Sequence, residues 1–389
     1  MLFITMEEMR RHYPDATLYF DTQEKKIDTS QYYFEQIDRE ALRNALRFMA
    51  KEDSLCTFLF KALKHAVRFA LEKNYYAVIG EIKYLKILKR TGMLIDISGY
   101  ALSSKFSQWQ NDLYLDIIRC ATKLDISTYI MPQSFGPFDY ENDAEGMKKR
   151  IVDSLKDVKH IFARENSGYD ELSGLGVKNI EKSYDLVLQD STEDLSFTAD
   201  KKDIDDGKFK DHVLIVPNEK LLTRFSKEDL YSLYDSIIEA LIAKGNEISL
   251  IFHSNDDHVI CDEIKKRWKD EERVHLCNRE LMFYEYSRVA GRSKYIIASR
   301  YHSIILAYKE SVPCIGIGWA DKYEELFHDV GQEKYVIQIF EDGITKKVLD
   351  AIDKMEIAYQ SEKQIIGEKI VQIRQNSCFK TVFRIEDGR

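Results

Sequence analysis

Met93-Leu94-Ile95-Asp96-Ile97, the amphipathic run Gln108–Lys123 and Ile126-Ser127-Thr128-Tyr129-Ile130-Met131 read in succession as strand, helix and strand. Short β-forming runs alternating with runs of 3.6-residue period are the pattern of βα units, and so of a parallel sheet. The pattern continues outward from there. After the loop Pro132-Gln133-Ser134-Phe135-Gly136-Pro137-Phe138 come a helix over Ala144–Leu155 and a strand His160–Ala163 closed by Arg164. A short helix then ends at Gly174-Leu175-Gly176, where Gly176 suits a C-cap before a strand at Val177.

Between Asp190 and Asp211 the pattern dissolves into polar residues without period, which reads as an interdomain linker. Alternation resumes with strands at 212–216, 247–252, 273–276, 294–298 and 313–317, and helices at 227–244, 259–268, 281–290 and 301–309. The expected architecture is α/β: an N-terminal domain over 1–189, a linker over 190–211, a C-terminal domain over 212–350, and helices with a polar tail over 351–389. Two Rossmann-like parallel sheets joined in this way make a two-lobed molecule with a cleft.

A chain of 389 residues suits two or three domains, and 44% hydrophobic residues with only 17 Gly and 5 Pro exclude disorder and collagen-like repeats. A net charge of -9 argues against wholesale nucleic-acid binding, which needs a basic face. The six cysteines are scattered without a CxxC pair, which suits reduced thiols in a cytosolic protein and not a disulfide frame or a zinc site. The start, Met1-Leu2-Phe3-Ile4-Thr5-Met6, is not a signal peptide, and no apolar stretch is long enough to span a bilayer. Residues 58–90 interleave Lys61, Lys64, Arg68, Lys73, Lys83, Lys86, Lys89 and Arg90 with apolar residues. That run is either a solvated helix face or a peripheral contact with the inner face of an anionic membrane.

Lys294-Tyr295-Ile296-Ile297-Ala298-Ser299-Arg300-Tyr301-His302-Ser303 is the segment richest in chemistry. A strand to Ala298, Ser299 at the N-cap and a helix beyond place Arg300 and His302 in the first turn at the strand's carboxyl end. Free backbone N–H groups, a forked cation and an imidazole there form an anion site in outline, although a salt-bridged Arg and a capping His would read the same. Arg164 ends its strand in the same way, with an ion pair to Glu165 as the competing account. Gln133, Ser134 and Gly136 offer hydrogen bonds and close backbone approach after the strand before it. The turn at Asp96 and Ser98 has the same placement, and Lys322 is a further candidate cation.

The cluster His253-Ser254-Asn255-Asp256-Asp257-His258 reads as a polar loop after a strand, since its spacing fits no closed metal site. No metal or cofactor is indicated. P-loop, H-E-x-x-H, G-x-S-x-G and G-x-G-x-x-G patterns are absent, so nucleotide hydrolysis, zinc proteolysis, serine hydrolysis and simple dinucleotide chemistry lack their usual parts.

Gln133-Ser134-Phe135-Gly136-Pro137-Phe138, Phe162-Ala163-Arg164-Glu165-Asn166-Ser167, Leu172-Ser173-Gly174-Leu175-Gly176 and Asp185 together resemble the N-terminal lobe of the polysaccharide pyruvyl transferase family. Arg300-x-His302, Val312-Pro313 and Lys322 resemble its C-terminal signature, in the family's order. The resemblance implies a fold similar to that of two-lobed GT-B glycosyltransferases. It also implies transfer of a pyruvyl group from phosphoenolpyruvate to two hydroxyls of a saccharide or lipid-linked saccharide, giving a ketal and phosphate. Carried over by motif, His302 and Arg300 are the catalytic candidates. Arg164, Gln133, Ser134, Gly136, Ser299, Lys322, Asp96 and Ser98 are the binding candidates.

Phosphoenolpyruvate carries a phosphate and a carboxylate, which suits two arginines and a helix N-terminus. The family usually opens with a strand, whereas Met1–Tyr13 reads as its first helix, so the first strand is expected to be missing. Ser98-Gly99 also replaces a denser glycine run. Two alternatives stay open: a glycosyltransferase using a nucleotide sugar, and a non-catalytic sugar-binding member of a polysaccharide assembly complex.

Overall fold

Strands of a parallel sheet covered on both faces are apolar throughout, and Val213–Val216 and Tyr295–Ala298 are buried at every position. A computed structural model describes residues 1–22, 34–71, 84–191, 205–320 and 322–388. The chain divides into two units, Met1–Leu186 with Cys378–Arg389, and Val187–Ser377.

In the first unit the strands are β1 (Leu18–Thr22), β2 (Phe34–Asp38), β3 (Met93–Asp96), β4 (Tyr100–Leu102), β5 (Ser127–Phe135), β6 (His160–Ala163) and β7 (Ile180–Lys182). β3, β5, β6 and β7 lie side by side in that order, all parallel, and β4 adds to the carboxyl half of β5. Helix Gln108–Lys123 opens with a capping box of Ser107 and Gln110. It packs Leu115 and Ile118 on Ile130 and Ile161 to form the core.

The loop expected from Pro132 is strand as far as Phe135. β4 supplies partners there, with Tyr100 opposite Ser134 and Leu102 opposite Phe135. Pro132, which has no N–H to donate, sits where the register with β6 shifts between Ile130 and Gln133. The turn at Gly136 has φ +75, which favours glycine. The strand expected at Val177 begins at Ile180. Helix Leu2–His12 comes first in the chain, and β1 and β2 follow it as a separate parallel pair.

The second unit holds β8 (Val213–Val216), β9 (Ile248–Leu250), β10 (Val274–Leu276), β11 (Tyr295–Ala298), β12 (Cys314–Gly318) and β13 (Val336–Gln338). Their spatial order is β10-β9-β8-β11-β12-β13, all parallel. That is the doubly wound order, which reverses direction between β8 and β11 and opens a crevice at their carboxyl ends. Helix Lys322–Asp329 packs tightly on β12, where a Cβ at Gly316 would meet the Phe327 ring at 2.4 Å.

The expected boundaries shift in two places. The break falls at Leu186/Val187, because Asp190 is buried in a 2.5 Å ion pair with Lys309 and so belongs to the second unit. Asp206, later in the expected linker, faces Arg288 and Arg292. Residues 192–204 lie outside the described residues. The C-terminal helices also divide. Helix Ile344–Gln375 is pinned to the second unit by Glu356, which accepts from Lys294 Nζ at 2.7 Å and Tyr295 OH at 2.7 Å. Helix Cys378–Glu386 returns to the first unit. There it buries Phe379 and Val382, accepts a 2.6 Å hydrogen bond from Tyr129 OH on Glu386, and stacks Phe383 on His12.

Of the basic run over 58–90, residues 72–83 with Lys73 and Lys83 lie outside the described residues. In helix Leu55–Leu71, Lys61 pairs with Asp53 at 2.6 Å, and Leu55, Leu59, Phe60 and Leu63 are exposed. Among the described residues no helix is long and apolar enough to cross a membrane.

Candidate active site

Two polar clusters form at the carboxyl ends of the two sheets, one in each unit. In the second unit, β11 delivers Ser299, Arg300 and His302 beside the end of β8, and Ser299 N donates to Val216 O at 3.0 Å. Asn218, two residues beyond β8, donates Nδ2 to Ser299 O at 3.0 Å. Tyr323 OH donates to the same carbonyl at 2.8 Å. The start of the next helix is thereby fixed. Helix Tyr301–Lys309 has Arg300 at its N-cap with no side-chain cap, so Ser299, expected to be the cap, lies one residue before it. His302 is the second residue of the helix and is exposed.

Arg300 is clamped by a carboxylate. Its Nε donates to Asp257 Oδ2 at 2.5 Å, and its Nη2 donates to Asp257 Oδ1 at 2.6 Å and to Ser254 Oγ at 2.8 Å. The Asp257 side chain is fully buried and also accepts from Glu219 N at 3.0 Å. Two edges of the planar fork are therefore occupied, while Nη1 carries no hydrogen bond among the described residues. A guanidinium pre-oriented in this way presents its remaining donors without further loss of rotamer freedom. Lys322 joins the cluster, with Nζ 4.8 Å from the Tyr301 ring centroid and 5.1 Å from that of Trp319.

Sequence reading missed Asp257, Ser254 and His253, although all three lie in the polar stretch 253–258. That stretch is the N-terminus of a helix, Asn255–Arg267, capped by Ser254. The signal was an acidic residue three positions after a Ser cap, which marks a helix start. His253 stacks edge-on against Tyr286 at 4.2 Å. Burial, and after it the charge of His302, pushes its imidazole down to about 4.

The unfolded chain binds a proton on this residue near pH 6.5, and the folded chain refuses it down to about pH 4. Stability therefore falls as pH drops through that window, by about 3 kcal/mol at full extent. Urea unfolding at pH 7 and pH 4.5 should show that loss, and His253→Gln should remove most of it. An unchanged pH dependence in the variant would assign the loss to other groups.

In the first unit, Arg164 at the end of β6 is buried. It donates Nε to Glu165 Oε1 at 2.7 Å, Nη1 to Asp185 Oδ2 at 2.8 Å, and Nη2 to Ser134 Oγ at 2.5 Å. Ser134 in turn donates to Glu165 Oε1 at 2.9 Å. Gln133 Nε2 donates to Asp96 Oδ2 at 2.9 Å and to Tyr114 OH at 2.8 Å, and its buried Oε1 has no partner among the described residues. Tyr114 donates to Asp96 Oδ2 at 2.8 Å, and burial followed by the Asp96 charge pushes its phenol well above the usual range. Ser98 closes on Asp96 Oδ1 through Oγ at 2.5 Å. Gly136 O accepts from Tyr100 OH at 2.9 Å.

Five of the six candidates of this unit thus form two networks, Asp96-Ser98-Gln133 and Ser134-Arg164, while Gly136 is bonded to Tyr100. Asp96, Ser98 and Tyr114 also line a cavity of about 1620 Å³. Tyr114 carried no readable signal as a site residue, because its partners Asp96 and Gln133 come from other elements, whereas the Arg164–Glu165 ion pair weighed from the sequence does form.

Two parallel α/β units, the second with a cation cluster at its switch point, define the two-domain Rossmann-like class that includes GT-B enzymes. Similar solved structures bear this out. The UDP-GlcNAc 2-epimerase of Methanocaldococcus jannaschii superposes with TM-score 0.55 at 13% identity, covering 90% of this chain and 89% of that one. A Listeria monocytogenes protein described as a UDP-N-acetylglucosamine 2-epimerase gives 0.55 at 8%, covering 94% and 86%. An E. coli trehalose-6-phosphate structure bound with UDP-2-fluoro glucose gives 0.50 at 9%, covering 99% and 94%. The chain belongs to the polysaccharide pyruvyl transferase family, a transferase family whose model matches residues 1–321. No curated protein matches it.

Proposed function

We propose that the chain transfers a pyruvyl group from phosphoenolpyruvate to two hydroxyls of a cell-surface or exopolysaccharide sugar, forming a ketal and releasing phosphate. The observation that carries this reading is the Arg300 fork, oriented by buried Asp257 beside the first turn of helix Tyr301–Lys309, in a chain of this family. Phosphate or carboxylate meets Nη1, Lys322 and the positive end of the helix dipole at that turn, all of which favour an anion.

In the reaction the methylene carbon of the donor gains a proton and one sugar hydroxyl adds to the adjacent carbon. The second hydroxyl then displaces phosphate from that carbon. The two hydroxyl protons end on the methyl group and on the phosphate. His302, whose imidazole is exposed in the first turn of the helix, is the general acid in this scheme. Arg164, Gln133, Ser134, Gly136, Asp96 and Ser98 are assigned to the acceptor saccharide.

The experiment is a thermal scan with phosphoenolpyruvate, with inorganic phosphate and with nucleoside diphosphate sugars, followed by phosphate-release assays across saccharide acceptors. Phosphoenolpyruvate at a hundred times its dissociation constant should stabilise by about 2.7 kcal/mol. A response to nucleotide sugars alone would replace this reading with sugar transfer. Saccharide binding with no phosphate release would replace it with a non-catalytic role.

A further inference from the structure

His212, Glu247 and His275 come together at the amino end of the second sheet, the end opposite the Arg300 cluster. His212 directly precedes β8, Glu247 directly precedes β9, and His275 lies within β10. The three strands are adjacent and parallel, with Val213 and Val274 both paired to Ile248 and His275 paired to Ser249. Strand alternation then places His212, Glu247, Ser249 and His275 on one face. One ligand atom from each of His212, Glu247 and His275 lies within 4.8 Å of the others, the only such group among the described residues.

We propose that these three residues bind a divalent cation of the zinc class through two imidazole nitrogens and one carboxylate oxygen. The donor set is that of borderline first-row metals, and three protein ligands leave a position for water. His275 Nε2 and Glu247 Oε2 are 2.8 Å apart, and the two imidazole rings stack 5.2 Å apart. Ligands at about 2.0–2.2 Å from a tetrahedral ion stand about 3.3 Å from one another, so small side-chain rotations close the site.

Ser249 supplies a second, independent feature. Its Oγ lies 2.9 Å from His212 Nδ1, a hydrogen bond that orients the ring and leaves Nε2 available to a metal. The nearby cation Arg273 is engaged by Glu271 at 2.9 Å. The side chains of His275 and Glu247 are 47% and 46% exposed, so an ion reaches them from solvent. Bound metal would tie β8, β9 and β10 together, and the assignment is independent of the proposed transferase reaction.

The test is calorimetric titration of the metal-stripped full chain with Zn²⁺, with Co²⁺ as a spectroscopic substitute that reports coordination geometry. One equivalent should bind. Affinity should fall roughly tenfold or more in His275→Ala and in Glu247→Gln, and about tenfold in Ser249→Ala with the Co²⁺ spectrum retained. Unchanged metal-free thermal midpoints would show that the half-exposed substitutions leave the fold intact. His328→Ala, at an exposed histidine paired with Glu333, should bind as the parent does. Three results would overturn the site: no Zn²⁺ binding by the parent chain, undiminished binding in His212→Ala/His275→Ala, or an equal loss in His328→Ala.

Discussion

Replacing Arg300 by alanine is expected to destabilise the second unit by about 3–5 kcal/mol, because it strands the fully buried Asp257 carboxylate without its countercharge. For a unit of this size, at roughly 2–4 °C per kcal/mol, the thermal midpoint should fall by roughly 6–20 °C. The carboxylate keeps the Glu219 N–H, which offsets only part of the loss. Arg300→Ala/Asp257→Ala should be less damaging than Arg300→Ala alone, since it removes the uncompensated charge as well as the pair. Scanning calorimetry of the parent, the single variant and the double variant reads this directly. A single variant melting with the parent would mean that the ion pair contributes no net stability. Any activity lost in Arg300→Ala must therefore be measured below its lowered midpoint.

His302→Ala is expected to behave in the opposite way. Its side chain is exposed in the first turn of helix Tyr301–Lys309, so removing it should change stability by no more than about 0.5 kcal/mol. Turnover at saturating phosphoenolpyruvate and acceptor should nevertheless fall by about 10²–10⁴-fold, the usual contribution of a positioned general acid. Two neighbouring substitutions thus separate structure from chemistry. Phosphate release near the parent rate in a folded His302→Ala protein would remove the residue from the reaction.

The helices Gln108–Lys123, Ala144–Leu155 and Tyr301–Lys309 were legible to the residue, because periodicity and flanking polar residues agree there. Strand β5 was not, since its outer half takes its partners from β6 at Gln133 and from β4 at Ser134 and Phe135. In the candidate site the strand-end position of Arg300 and Arg164 was readable from local pattern. Their carboxylate partners were less so. Asp257 meets Arg300 across 43 residues of chain and Asp185 meets Arg164 across 21, and one chain's sequence does not report such pairings. Asp190 was misread as linker for the same reason, its partner Lys309 lying far along the chain.

The return of helix Cys378–Glu386 to the first unit has a consequence for biosynthesis. Domains generally fold as they leave the ribosome, the earlier one first. Here residues 1–186 emerge early but lack Phe379, Val382 and the Glu386 acceptor for Tyr129 until residues 378–389 have been made. The second unit, contiguous over Val187–Ser377, is complete before that. The order of maturation is thus inverted relative to the order of translation, and the first half of the chain waits on the last helix to finish its core.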